Sequence, residues 1–167
     1  MPFLLFAGDD QGSPISLTIQ GGTNVSYSLS FEYLDQVLLP ALETFGIQVE
    51  RKLEYRGWSH GSIQLGSATF RIKPLSPRHT LKAPEWPKES GTVSKIAVSM
   101  IVPGDIQKVL RRSLEFELDL VFPGIELDFV LVEDSRHKAR LYTLLVAHTA
   151  SGLRFGHGSY PQSAESI

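Results

Sequence analysis

Residues 15–20 read Ile-Ser-Leu-Thr-Ile-Gln, a strict alternation of apolar and polar side chains. Side chains on a strand point to opposite faces in turn, so a period of two buries one face and wets the other. By residue 31 the period has changed. Phe31, Leu34, Leu38, Ala41, Leu42 and Phe45 recur at helical spacing, which gathers them on one side of a helix. Alternation then returns over 47–57, with Ile47, Val49, Leu53 and Tyr55, and over 66–75, with Ala68, Phe70 and Ile72. The same switch recurs later in the chain. Lys95–Val102 carries Ile96, Val98, Met100 and Val102 on one face, and a helix is expected from about Asp105 with Ile106, Val109, Leu110, Leu114 and Leu118 inward. Leu127, Phe129 and Leu131 form a further strand, followed by 141–149 and a closing hairpin partner over 151–160. A sheet with one apolar face and a helix with one apolar stripe bury each other, so the pattern predicts α/β architecture of an α+β-like kind, in two small sheet-plus-helix units.

Local signals place the ends of these elements. Ser28 and Ser30 are both N-cap candidates, Glu32 and Asp35 suit the positive end of the helix dipole, and Gly46 is placed to stop the helix. Pro40 falls inside it and predicts a kink or an early end. Residues 74–91 carry four prolines and little periodicity, which reads as a linker. The expected domains are therefore 1–91 and 92–167. The apolar run at 2–7 predicts a strand buried on both faces, followed by turn formers over 8–14.

Charge and cysteine content exclude several classes of function. Residues 1–92 hold 8 basic and 9 acidic groups, and residues 93–167 hold the same numbers. Any nucleic-acid contact must then come from a local patch rather than overall charge. The absence of cysteine removes disulfides, thiol catalysis, iron–sulfur clusters and thiolate zinc sites. The first residues lack the basic start of a signal peptide, and no run approaches the roughly 20 apolar residues of a membrane span, so a soluble intracellular protein is expected.

Four groups of residues invite chemistry. Gly21-Gly22-Thr23-Asn24 precedes the first helix, where small residues allow close backbone approach to a phosphate and the helix supplies free N–H groups. Composition alone favours a plain turn, since neither a Walker loop nor a GxGxxG fingerprint is present. Arg71, Lys73, Arg78 and Lys82, with His79, form a stretch free of acids that could touch RNA phosphates or be a solvated loop. His60, His79, His137, His148 and His157 include no i, i+4 pair, and two neighbouring histidines make a poor metal cage, so no metal site is expected. Glu115, Glu117 and Asp119 read as a solvated helix face.

The segment "GGTNVSYSLSFEYLDQVLLPALETFG" at 21–46 resembles the most recognisable part of the RNA 3′-terminal phosphate cyclase family. The matching positions are Gly21 to Asn24, Ser28, Phe31-Glu32-Tyr33, Leu39-Pro40 and Phe45-Gly46. "MPFLLFA" resembles the family's preceding strand and "EYRGW" at 54–58 its next one, while the region from residue 93 fits its inserted small domain. The resemblance implies ATP-dependent conversion of an RNA 3′-phosphate to a 2′,3′-cyclic phosphate through a histidine–AMP intermediate, with Mg²⁺ assisting. It also implies nucleotide contacts at Gly21, Gly22, Thr23, Asn24 and Leu29, RNA as partner, and nuclear localisation.

The chain departs from that pattern. Leu29 stands where the family has a proline against the nucleotide, and "SHGSIQLGS" replaces a Gly-Gly-Gly turn. In the family, an arginine-rich first repeat and a nucleotide-site glutamine precede the matched region, and the nucleophilic histidine lies in a repeat beyond it. No histidine here is assigned as nucleophile, no catalytic residue is named, and the chain is expected to be inactive alone. Two alternatives remain: a non-catalytic RNA-binding scaffold in ribosomal RNA processing, or a fragment without independent function.

Overall fold

The computed structural model describes residues 13–59, 63–76 and 80–160. The expected strand at 2–7, most of the turn after it, and Arg78, His60 and His79 lie outside the described residues. The fold is α+β: two small sheets, each accompanied by helix. The chain separates into two compact units, the first reaching Trp86 and the second continuing from Pro87. Trp86 stays with the first unit because its ring packs edge-on against Phe45, with centroids 6.0 Å apart.

The first unit holds β1 (Ile15–Gly21), β2 (Gln48–Tyr55) and β3 (Gly66–Lys73), in the antiparallel order β1-β3-β2. Leu39, Ile47, Val49, Ala68, Phe70 and Ile72 form its core, with Phe31, Leu34, Leu42 and Leu53 packed against it. Three expected inward positions sit elsewhere, Ala41 being exposed on the helix. Tyr55 is half exposed because the register with β3 slips between Leu53 and Tyr55, a bulge that resets which side chains face inward. Ile19 is 45% exposed on the edge strand β1.

The helix between β1 and β2 has three parts: α1 (Phe31–Tyr33), a π turn (Leu34–Leu38) and α2 (Leu39–Glu43). Of the two candidate caps, Ser30 is the one used, its Oγ accepting the Tyr33 N–H at 3.0 Å. The helix runs on past Pro40 to Glu43, with a π turn just before the proline. The turn before it widens so that the Leu39 N–H donates to the Leu34 carbonyl, five residues back, and the missing N–H of Pro40 falls in the first turn of α2, where no donor is required. Gly46, at φ +87°, then reverses the chain into β2.

The second unit holds β4 (Val93–Val102), α3 (Gln107–Val121), β5 (Glu126–Asp134), β6 (Tyr142–Thr149) and β7 (Arg154–Ser159). The sheet order is β5-β4-β6-β7, with β4 and β5 parallel through the α3 crossover and the remaining pairs antiparallel. Every residue of β4 from Ile96 to Val102 is buried, so the strand is covered on both faces rather than one. Met100, Val102, Leu110 and Leu141 form a core with Ile106 and Leu114. Val109, expected inward, is 68% exposed. Residues 106, 110 and 114 align along the helix, and the 100° step per residue carries 109 off their stripe.

Candidate functional site

Three glycines bring the Gly-Gly-Thr-Asn loop against the Arg56-Gly57-Trp58 segment. Gly21 pairs with Gly66 at the end of the sheet. A Cβ added at Gly57 would lie 2.2 Å from the Gly21 carbonyl oxygen and 2.4 Å from the Gly66 nitrogen. Only a residue without a side chain permits that approach. The Gly57 carbonyl accepts from the N–H groups of Thr23 (3.1 Å) and Asn24 (2.9 Å), while the Gly57 N–H donates to Thr23 Oγ1 at 3.0 Å. The Thr23 carbonyl in turn accepts the Phe31 N–H at 2.9 Å, which ties the loop to the helix start.

Beneath the loop lies a buried polar network. Asn24 is fully buried and Glu32 is 3% exposed. Asn24 Nδ2 donates to Glu32 Oε2 at 2.8 Å, and Asn24 Oδ1 accepts from Thr23 Oγ1 at 2.8 Å and from Arg56 Nη1 at 3.2 Å. Arg56 also pairs with Glu32 Oε1. Charge meets charge and the amide meets both, as burial of polar groups demands. The sequence placed Glu32 at the helix dipole, but its partners are Asn24 and Arg56. Two motifs read separately in the sequence, Gly-Gly-Thr-Asn and Arg-Gly-aromatic, are halves of this one network.

That wiring decides what the loop can offer a ligand. The side chains of Thr23 and Asn24, and both their N–H groups, are engaged within the fold. Gly21, Gly22, Thr23 and Leu29, but not Asn24, line an open pocket of about 220 Å³ with Ile19, Phe31 and Phe70. Among the described residues no charged side chain lines it. Such a pocket suits a flat, largely apolar group such as a nucleobase; a triphosphate would meet no cation there.

The basic candidates divide. Arg71 and Lys73 are exposed on β3 and line a second, open groove of about 650 Å³ with Pro14, Gln48, Glu43 and Glu50. Lys82 is exposed in the irregular segment beyond β3 and does not line that groove. Arg51, also at the groove, is occupied: Nε donates to Asp35 Oδ1 at 2.5 Å and Nη1 to Glu43 Oε1 at 2.8 Å. Burial works against its charge, but these two bonds prevail and raise its pKa above the ordinary value.

The described histidines all fall in the second unit. His148 is paired with Lys95 on β4 and Arg154 on β7. Partial burial, then the Arg154 and Lys95 charges, lower its pKa, with Asp128 opposing. His157 lies opposite Leu145, three residues along β6 from His148, so the two do not meet. His137 Nδ1 accepts the Ala139 N–H within a turn. Glu115 is ion-paired with Arg111 and Asp119 accepts the Gly124 N–H. Among the described residues no group of three candidate ligands could hold a metal, and no helix is long and apolar enough to cross a membrane.

The family model described as RNA 3′-terminal phosphate cyclase matches residues 1–157. A protein of Drosophila melanogaster with that name is 26% identical over 142 residues, 83% of this chain and 37% of the relative. A protein of the same name from Thermococcus gammatolerans is 35% identical over 118 residues, 71% of this chain and 32% of the relative. One from Thermococcus kodakarensis is 37% identical over 86 residues, 52% of this chain and 23% of the relative. The matched regions thus span 23% to 37% of these relatives' lengths. A family match over nearly the whole chain, taking in the loop that Asn24, Glu32 and Arg56 hold, means that the chain belongs to the RNA 3′-terminal phosphate cyclase family.

Proposed function

We propose that this chain supplies the nucleobase-facing wall of a cyclase-type nucleotide site and by itself carries out no adenylyl transfer. One observation carries the reading. The pocket beside Gly21, Gly22 and Leu29 is lined mostly by apolar residues, with Thr23 and Ser30 the polar ones and no charged group among the described lining. Of the ATP that the family implies, these residues fit the base and not the triphosphate. Mg²⁺ would arrive with the phosphates, because that ion is usually held by one or two carboxylates together with phosphate oxygens. The whole-family activity, ATP-dependent cyclisation of an RNA 3′-phosphate, would require cationic and nucleophilic groups from outside this pocket. RNA is the macromolecular partner in this reading, and the nucleus its place of work.

The test is incubation with Mg²⁺ and ATP labelled on the α-phosphate, followed by denaturing separation. No label should stay with the protein, while adenosine should protect Gly21 and Gly22 amides in a titration followed by NMR. An acid-labile, histidine-linked AMP adduct would overturn the inactive reading. A second reading, a non-catalytic RNA-binding protein of ribosomal RNA processing, draws support from the exposed Arg71 and Lys73. It predicts RNA binding without any nucleotide requirement.

A further inference from the structure

We propose that the groove at the Ile15 end of the first sheet, carrying Arg71 and Lys73, holds the phosphodiester backbone of single-stranded RNA at a distance from the RNA's end. This rests on the reading of RNA as partner. The groove forms where β1 begins, β3 ends and β2 begins, since Ile15 pairs with Ile72 and Gln48 with Lys73. The Gly21–Gly22 pocket runs from Gly21 back along β3 to Phe70 and lies on the other face of the same sheet, since Ala68 and Phe70 alternate with Arg71 and Lys73. A mononucleotide cannot occupy both, but a polymer can.

The chemistry of the groove selects an extended polyanion. Arg71 and Lys73 are two residues apart on β3, so both project from the same face, their Cα atoms roughly 7 Å apart. Neither makes an ion pair with a described residue, unlike Arg51, whose charge is taken up by Asp35 and Glu43. Glu50 is the direct neighbour of Arg71 on β2 and also lines the groove. Among the described lining residues Arg51, Arg71 and Lys73 stand against Glu43 and Glu50, a small net positive charge suited to a weak contact repeated along a chain rather than tight capture of a small anion. The groove is open, which admits a strand passing through. Arg51, pinned at one wall, fixes the shape without competing for the ligand.

The experiment measures binding of a 5′-labelled single-stranded RNA of roughly 12 nucleotides, ending in either a 3′-phosphate or a 3′-hydroxyl, across a salt series. Each phosphate contact to a single strand contributes about 0.7 to the slope of log affinity against log salt. The double variant Arg71→Gln/Lys73→Gln should therefore lose about 1.4 from that slope, equally on both RNAs. The charge-conserving pair Arg71→Lys/Lys73→Arg should keep the slope, as should Lys82→Gln, which removes a charge outside the groove. An unchanged slope for the Gln double variant, with wild type still binding, overturns the groove and leaves RNA as partner. A loss confined to the 3′-phosphate RNA makes this an end-binding site and overturns the backbone assignment. Failure of the wild-type chain to bind either RNA at low salt overturns the RNA reading, and the groove with it.

Discussion

Gly57 lies against Gly66 so closely that a Cβ built on either would collide with the other's backbone nitrogen, at 2.4 Å and 2.3 Å respectively. The contact holds the Arg56-Gly57-Trp58 turn against Gly21 and lets one carbonyl, that of Gly57, accept from both Thr23 and Asn24. Alanine at either position must push backbone apart, because the nearest atom in each case is backbone. Gly57→Ala should destabilise the chain by about 1–3 kcal/mol, the usual cost of overpacking, and expose the Thr23 and Asn24 amides to hydrogen exchange. Urea unfolding with exchange at those two amides checks it. An unchanged midpoint would show that the turn can relax away from the loop.

The Glu32–Arg56 pair predicts a larger effect. Side-chain exposure is 3% for Glu32 and 11% for Arg56. Glu32→Gln keeps the shape but takes the Glu32 charge away from the buried guanidinium, a loss of about 3–5 kcal/mol where a buried pair is broken. Arg56→Gln leaves the carboxylate in the same position. The double variant Glu32→Gln/Arg56→Gln should be less destabilised than the sum of the two, since neither charge is then stranded. A double-mutant cycle in urea measures the coupling, and additive losses would sink the idea that these two residues act as a pair.

Much of the fold was legible because it is written locally. The alternation of Ala68, Phe70 and Ile72 places all three in the core, and Ser30 caps the helix as its type and position suggest. Tyr55 and Val109 were misplaced for different reasons: a bulge resets the register of one, and a stripe only as wide as its contacts leaves the other in solvent. The candidate site was harder. Glu32 and Arg56 are 24 residues apart, and neither residue type announces a partner at that distance. Gly57 signals a close approach, but a sequence does not say which strand approaches. Arg71 and Lys73 were legible as a basic stretch; only the sheet separates them from Lys82.

Pro40 gives a test of helix architecture. Proline inside an uninterrupted α-helix costs about 3 kcal/mol relative to alanine, partly through the missing hydrogen bond. Here the π turn before α2 leaves no donor needed at residue 40. Pro40→Ala should therefore change stability by much less than that figure. Urea denaturation is sufficient, and a gain approaching 3 kcal/mol would mean that the π turn carries strain imposed by the proline.

His148 predicts how stability varies with pH. Burial and the cations Arg154 and Lys95 hold its folded pKa below the ordinary 6.5, against the opposing charge of Asp128. Below 6.5 the unfolded chain then binds more protons at this position than the folded chain. Stability contributed here is present above 6.5 and is lost as pH falls from that value through the folded pKa. His148→Gln removes the site while leaving Lys95, Asp128 and Arg154 in place, and the other histidines contribute equally to both proteins. The urea midpoint of the wild-type chain should therefore fall more steeply between about pH 7 and pH 5 than that of the variant. Imidazole proton shifts give the direct reading, with His148 titrating below 6.5 in the folded protein. Titration at or above that value, or parallel midpoint curves for the two proteins, would show that Asp128 outweighs the two cations across the sheet.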